Sequence, residues 1–262
     1  MNLPRAGWRK DAKWICSIIF TFLLFADLGI LSLYRITSPQ NARSMWQRFL
    51  VNSVSEEMRV VYEQARLEAK VRPGHQVAIP FLPFITMSSK ELRTMSFSEF
   101  QDRVATAVFD RIYQGEPIVL SSQAEQAIPP QILSLLSFFS EKNHVRLGKL
   151  LFFLSFLTFV FLALTLIFSY RFGKCFTVGV CFSLASFPGL LFSLALLRKG
   201  SYSAFGSIGL VIRSDYLVAF ILGLCLMIVG LVGGIILRII QFRAEEPKLI
   251  ADGGNEGVEN GG

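Results

Sequence analysis

Four long apolar segments, at 14–34, 150–170, 175–197 and 216–237, divide this chain into one helix, an insert and three further helices. At a rise of about 1.5 Å per residue, each can cross a hydrocarbon core of ~30 Å. In lipid, the backbone of such a segment must satisfy its own hydrogen bonds, so helix is the form these segments take. The expected fold is therefore mainly α: a four-helix transmembrane protein in a 1 + 3 arrangement, with an α-rich extracytoplasmic domain between the first and second helices. The expected boundaries are a basic tail at 1–13, a first span at 14–34 and the inserted domain at 35–148. Spans follow at 149–170, 175–197 and 216–238, with a short outer loop at 198–215 and a disordered polar tail at 239–262.

Apolar residues make up 52% of the chain and charged ones 17%, a balance too apolar for an ordinary soluble domain. A net charge of +7 suggests nucleic acid at first sight. The placement of the charge excludes that reading. Arg5, Arg9, Lys10, Lys13, Arg171, Lys174, Arg198, Lys199, Arg238 and Arg243 flank apolar segments, where basic residues act as topology anchors. The four cysteines, Cys16, Cys175, Cys181 and Cys225, lie in or beside apolar segments and the insert has none. A disulfide-stapled exterior is therefore excluded, and no CxxC or Cys/His cluster points to zinc. The insert also lacks an Asn-x-Ser/Thr acceptor site. A bacterial plasma membrane fits these features.

The first segment is longer than the apolar core of a cleaved signal peptide, and it exits through Ser32-Leu33-Tyr34-Arg35 with no small-residue cleavage site. It reads as a signal anchor with its N-terminus in the cytoplasm. On that topology nine basic residues near the spans lie inside: Arg5, Arg9, Lys10, Lys13, Arg171, Lys174, Arg238, Arg243 and Lys248. The short outer loop has Arg198, Lys199 and Arg213, so the bias puts both termini in the cytoplasm and the insert outside. Lys142, Arg146 and Lys149, at the outer entry of the second span, run against it.

Within the insert, Met45, Trp46, Phe49, Leu50, Val54, Met58, Val61 and Ala65 recur at helical spacing, predicting one long amphipathic helix from Ser38-Pro39 to about Lys70. Pro73-Gly74 ends it, and Pro80 and Pro83 keep Val77–Ile85 extended. Ser96 and Glu99 have capping-box spacing before a helix whose face is Phe97, Phe100, Val104, Val108 and Ile112, stopped by Gly115. A third helical stretch runs from Ile128 to Phe139, with Ile132, Leu135, Leu136 and Phe139 as its face. No catalytic constellation emerges. The two histidines, His75 and His144, have no carboxylate or cysteine at ligand spacing, and no phosphate-cradling glycine loop, HExxH or G-x-S-x-G is present. No cofactor or metal is expected.

Asp27 is the charged side chain this reading places inside a span, roughly 10 Å below the outer surface by helix rise. A carboxylate at that depth is costly and needs a partner at the same level. Ser155, Thr158 and Ser193 are the hydroxyls available, so the expectation is a polar clasp of Asp27, Ser155, Thr158 and Ser193 joining the lone helix to the other three. Small residues predict close packing: Gly179, Ser183 and Ser186 in the third span, with Pro188-Gly189 as a kink, and Ala219, Gly223, Gly230 and Gly234 in the fourth. Phe152, Phe153, Phe156, Phe159, Phe161 and Phe168 cover the second span, which faces lipid or a partner subunit.

The order of one helix, an extracytoplasmic domain and three helices resembles the layout of FtsX-type permease subunits, a likeness of layout that implies no residue roles. Two main readings of function follow, beside a third in which the chain is a membrane-embedded enzyme whose site the sequence does not reveal. In the first, the chain is a non-enzymatic multi-pass membrane protein, embedded in the lipid bilayer, that meets a protein partner through its outer domain or second span. In the second it is a transporter or permease subunit with Asp27 in the moving part of the bundle. Nucleic acid is no partner in either.

Overall fold

The computed structural model describes residues 5–53, 55–80, 82–116, 138–169, 173–198 and 204–252. The described chain is mainly helical. The helices, in chain order, are α1 (Arg5–Ile36), α2 (Pro39–Ser53), α3 (Ser55–Val71), α4 (Ser89–Thr94), α5 (Phe97–Tyr113), α6 (Glu141–Phe168), α7 (Gly173–Arg198) and α8 (Ala204–Asp252). A hairpin of β1 (Gln76–Ile79) and β2 (Leu82–Ser88) sits between α3 and α4. Among the described residues, four helical stretches are long and apolar enough to cross a membrane: Lys10–Ile36, Glu141–Phe168, Gly173–Arg198 and Ile208–Gln241. The first, third and fourth contain the segments expected from hydropathy, and the second covers 150–168 of the segment expected at 150–170.

The chain divides into two compact units. One combines Met1–Asp27, Leu154–Pro188 and Tyr216–Gly262, and holds parts of all four apolar helices. Here α1 and α6 run antiparallel, with Trp8 edge-on to Phe168 and Asp27 beside Ser155. Helices α7 and α8 are also antiparallel and approach at glycines. A Cβ on Gly179 would stand 2.6 Å from the Gly223 carbonyl oxygen, and one on Gly223 would stand 2.7 Å from Ser183 Oγ. Neither distance leaves room for a side chain. Gly230 is packed against the Phe176 backbone in the same way, whereas Gly234 has open space beside it. Ser186 and Ala219 are buried, with the Ser186 hydroxyl donating to its own helix at Phe182 O, 2.6 Å away. Phe20 meets Phe182 edge-on, with ring centres 6.0 Å apart, which brings α1 against α7.

The other unit combines Leu28–Phe153 with Gly189–Asp215. Its core is built by Met58, Val61, Tyr62, Ala65 and Ala69 of α3 with Val77, Ile79, Ile85 and Met87 of the hairpin. Leu92 of α4 and Phe100, Val104, Val108 and Ile112 of α5 complete it. The α5 face is the one its spacing predicts, and the capping box forms. Glu99 N–H donates to Ser96 Oγ at 3.3 Å and Ser96 N–H to Glu99 Oε2 at 2.7 Å. Gly115, at φ 77°, takes the left-handed conformation that ends the helix.

Several polar groups at the core's edge are satisfied by reach-back side chains. Arg93 donates twice to Ala69 O, at 3.1 and 2.7 Å, closing the C-terminal end of α3 where carbonyls lack helix partners. Ser89 donates to Arg72 O at 3.0 Å and contacts His75 O, and Tyr62 Oη donates to Met95 O at 2.6 Å.

Several expectations are corrected. The long helix expected over 38–70 is two helices, because α2 packs on α5 while α3 packs on α4, β1 and α5. Asn52, Ser53 and Ser55, residues that favour helix ends over helix interiors, mark the joint. Ala42, Met45, Met58, Val61 and Ala65 are buried as a helical stripe requires; the side chains of Phe49 and Leu50 and all of Val54 lie outside the described residues. The extended 77–85 segment is a hairpin. Pro83 is tolerated because each strand of a two-stranded sheet has an unpaired edge.

The loop expected over 198–215 is helical from Ala204, since Ile208, Ile212 and Tyr216 continue the apolar face of the last span. Helix α8 also runs on to Asp252, past the start of the tail expected to be disordered, with Pro247 inside that run. The third helical stretch of the insert falls outside the described residues except at its last two positions, Phe138 and Phe139.

The α5 cap carries a pH signature. Hydrogen bonds from the backbone N–H and then the hydroxyl of Ser96 hold the Glu99 carboxyl below its ordinary range. A depressed carboxyl contributes stability above its unfolded-state value and loses it as pH falls through the folded one. Acid thermal unfolding of the wild type should therefore lose the contribution of this cap, and Glu99→Gln should flatten that part of the pH profile. Ser96→Ala should cost about 1 kcal/mol at neutral pH, measured by circular dichroism.

Candidate functional site

Asp215 is the most deeply buried carboxylate described, with its side chain 3% exposed. Position 215 shares a face of α8 with Ile212, Tyr216 and Ala219, all buried. Burying a carboxylate there is costly unless both oxygens are met. They are. Arg35 Nη1 pairs with Oδ1, and Ser32 Oγ donates to Oδ2 at 3.1 Å. Ser32 and Arg35 stand three residues apart on α1, so a single face of that helix supplies both donors. Arg35 keeps half its side chain in the open, which spares part of its desolvation cost. Its own carbonyl accepts from Ser38 Oγ at 2.8 Å and Asn41 Nδ2 at 2.7 Å, tying the end of α1 to the start of α2.

Beside this pair, the end of α1 also meets α6. The Tyr34 ring stacks on His144 with centres 4.3 Å apart and planes 16° apart. Thr37 Oγ1, wholly buried, shares a hydrogen bond with His144 Nδ1 at 3.1 Å. Gly148, one turn further on, lets the Tyr34 ring lie close, since a Cβ there would stand 3.1 Å from Tyr34 Cε2. Tyr113 of α5 joins the same region. Burial first, then the charges of Glu141 and Tyr34, push its phenol above the ordinary value, so it stays protonated. Three elements of one unit thus converge where α1 passes into α2.

Of the four residues expected to form a clasp, the structure brings together two. Ser155 Oγ donates to Asp27 Oδ1 at 2.8 Å. Thr158 and Ser193 are buried but turn to their own helices, donating to Leu154 O at 2.9 Å and Leu190 O at 2.7 Å. Neighbouring carbonyls compete for a helix hydroxyl, and at these two positions they win. Of the small residues, Gly179, Ser183, Gly223 and Gly230 line the α7–α8 approach, and Ser183 Oγ also contacts Met227 Sδ at 3.7 Å.

Sequence reasoning missed Asp215, Ser32 and Arg35, because Arg213 and Asp215 lowered local hydropathy and cut the last span short. The signal was present in the register: 208, 212, 215 and 219 fall on one helical face, so a carboxylate at 215 points into apolar surroundings and calls for a cation.

Among the described residues, no three His, Cys, Asp or Glu side chains come together in a metal-binding cluster. No protein family, curated protein or solved structure matches the chain. The chemistry of the arrangement is that of fastening, since each Asp215 oxygen already has a donor.

Two measurements test this. Arg35→Met leaves the buried carboxylate without its cation and should cost about 3 kcal/mol of thermal stability in mild detergent. Arg35→Met with Asp215→Leu should recover most of that loss; additive losses would show that the two side chains do not act as a pair. For Asp27, Asn retains the oxygen that accepts from Ser155 and Leu does not. Asp27→Asn should leave assembly intact and Asp27→Leu should weaken it, by size-exclusion profile and melting temperature.

Proposed function

We propose that this chain is a non-enzymatic multi-pass membrane protein of a bacterial plasma membrane, whose helical domain outside the bilayer binds a partner protein and holds it against the membrane. Three observations support the reading. The four apolar helices suit a bilayer-embedded chain. The domain at 39–113 has its own closed core. Only Thr37 and Ser38 separate α1 from α2, and that junction is fastened to α8 through Asp215 and to α6 through His144. A load on the domain therefore reaches the membrane helices through fixed polar contacts.

The observation that carries partner binding is a set of exposed apolar side chains on α3, interrupted by Gln64, that the core does not use. Val60, Leu67 and Val71 are 58%, 60% and 78% exposed and recur at i, i+7 and i+11. Helix positions at that spacing share one face, and an apolar helix face left outside its own core is the kind that fills a partner's groove. The basic residues flanking the spans favour cytoplasmic termini with the domain on the opposite side.

A photo-crosslinking side chain at Leu67, used in cells, should give a discrete adduct that disappears when Val60 and Val71 are changed to Asp. A monomeric mass in mild detergent together with no adduct at Leu67 would sink the reading. The permease-subunit alternative draws on one observation, that Asp27 meets a hydroxyl where a fixed ion pair would hold a cation. Loss of activity in a normally assembled Asp27→Asn variant would favour it.

A further inference from the structure

We propose that the N-terminal turns of α6 form a binding site for an anionic phospholipid, with Lys142, Arg146 and Lys149 taking the headgroup and Phe153 lying along the acyl chains. The four positions are i, i+4, i+7 and i+11, one face of one helix, and all four side chains are exposed. Phe153 is 63% exposed. Among the described residues, none of the three cations has a carboxylate partner; the ion pairs formed are Arg35–Asp215, Arg43–Asp110, Arg72–Glu68, Arg103–Glu91 and Arg111–Glu116.

The helix dimensions set the depth. Helix α6 spans Glu141–Phe168, about 42 Å at 1.5 Å per residue, against a hydrocarbon core of ~30 Å. The uncharged stretch 150–168 accounts for about 28 Å of that length by the same rise. Lys149 then stands at the hydrocarbon edge, with Arg146 and Lys142 in the headgroup layer beyond it. Phe153 lies one turn inside, where the acyl chains begin.

Without an anion, this arrangement works against the helix. Glu141 meets the helix dipole in the first turn, and Lys142 beside it works against that term. Lys142/Arg146 and Arg146/Lys149 are like-charge pairs at i, i+4 and i, i+3, which repel. The three cations also oppose the charge bias, in which nine basic residues flank the far ends of the spans. A phosphate between them offsets the repulsion. The Phe153 surface directly below makes the occupant a lipid, whose charge and chains are joined at this spacing.

The test uses the full chain in mild detergent and native mass spectrometry, with phosphatidylglycerol and phosphatidylcholine of identical chains. The wild type should retain phosphatidylglycerol about tenfold more tightly, and added salt should erode the preference, as expected when surface cations contribute. K142Q/R146Q/K149Q should bring the two lipids near parity, with helical content unchanged by circular dichroism. Phe153→Ala should weaken retention of phosphatidylglycerol, and excess inorganic phosphate should not displace it. Equal retention of the two lipids by the wild type would overturn the proposal, and so would a preference that survives the triple substitution. Displacement by inorganic phosphate would overturn the lipid assignment. If the triple variant does not fold, the wild-type lipid comparison and its salt dependence still decide the matter.

Discussion

A carboxylate buried on an apolar helix face must be met by donors, and the way Asp215 is met governs how the first helix joins the last. Arg35 and Ser32 both come from α1, so that helix cannot rotate or slide without uncovering a charge. Buried pairs of this kind are weak sources of net stability, because desolvation offsets much of the attraction. What they set strongly is register: one arrangement satisfies both oxygens and its neighbours leave them bare. The Tyr34–His144 stack and the Thr37 hydrogen bond apply the same restriction between α1 and α6.

The region from α2 to α5 is held by different physics. Its core is aliphatic and aromatic, and its polar atoms are dealt with at the edges. Arg93 closes the end of α3, Ser89 bridges the turn before β1, and Tyr62 reaches the end of α4. Each of these side chains joins elements separated in the chain, so the short α4 and the two-stranded hairpin are ordered by the core beneath them. An isolated two-stranded hairpin has little stability of its own in water. The packed domain leaves the Val60–Leu67–Val71 face of α3 outside, and the membrane helices leave the Lys142–Arg146–Lys149 face of α6 outside.

Much of the fold was legible from local pattern. The apolar segments, the face of α5, its capping box and its glycine stop all depend on residues within a few turns of one another. The Gly179–Gly223 approach was legible as composition, since small residues in spans mark close packing. The hairpin at 76–88 was visible only as an extended stretch, because two prolines hid the alternation of buried Val77, Ile79, Ile85 and Met87. The break between α2 and α3 depends on two helices docking on different partners, which a single apolar stripe does not record. Asp27 stood out because it interrupts a long apolar run. Asp215 did not, because it ends one, and a charge at the end of a run looks like a boundary.

The amino-acid sequence alone determined that this chain is mainly helical and has four helices of bilayer-crossing length. Those properties follow from hydropathy, helix period and capping, all carried by residues close together in the chain. Only the tertiary structure decided which polar groups meet. Ser155 reaches Asp27, Thr158 and Ser193 turn back to their own helices, and Arg35 crosses 180 positions of chain to reach Asp215. Pairing of that kind depends on the depth and rotation of helices far apart in the chain. Those are set by packing, on which local spacing is silent.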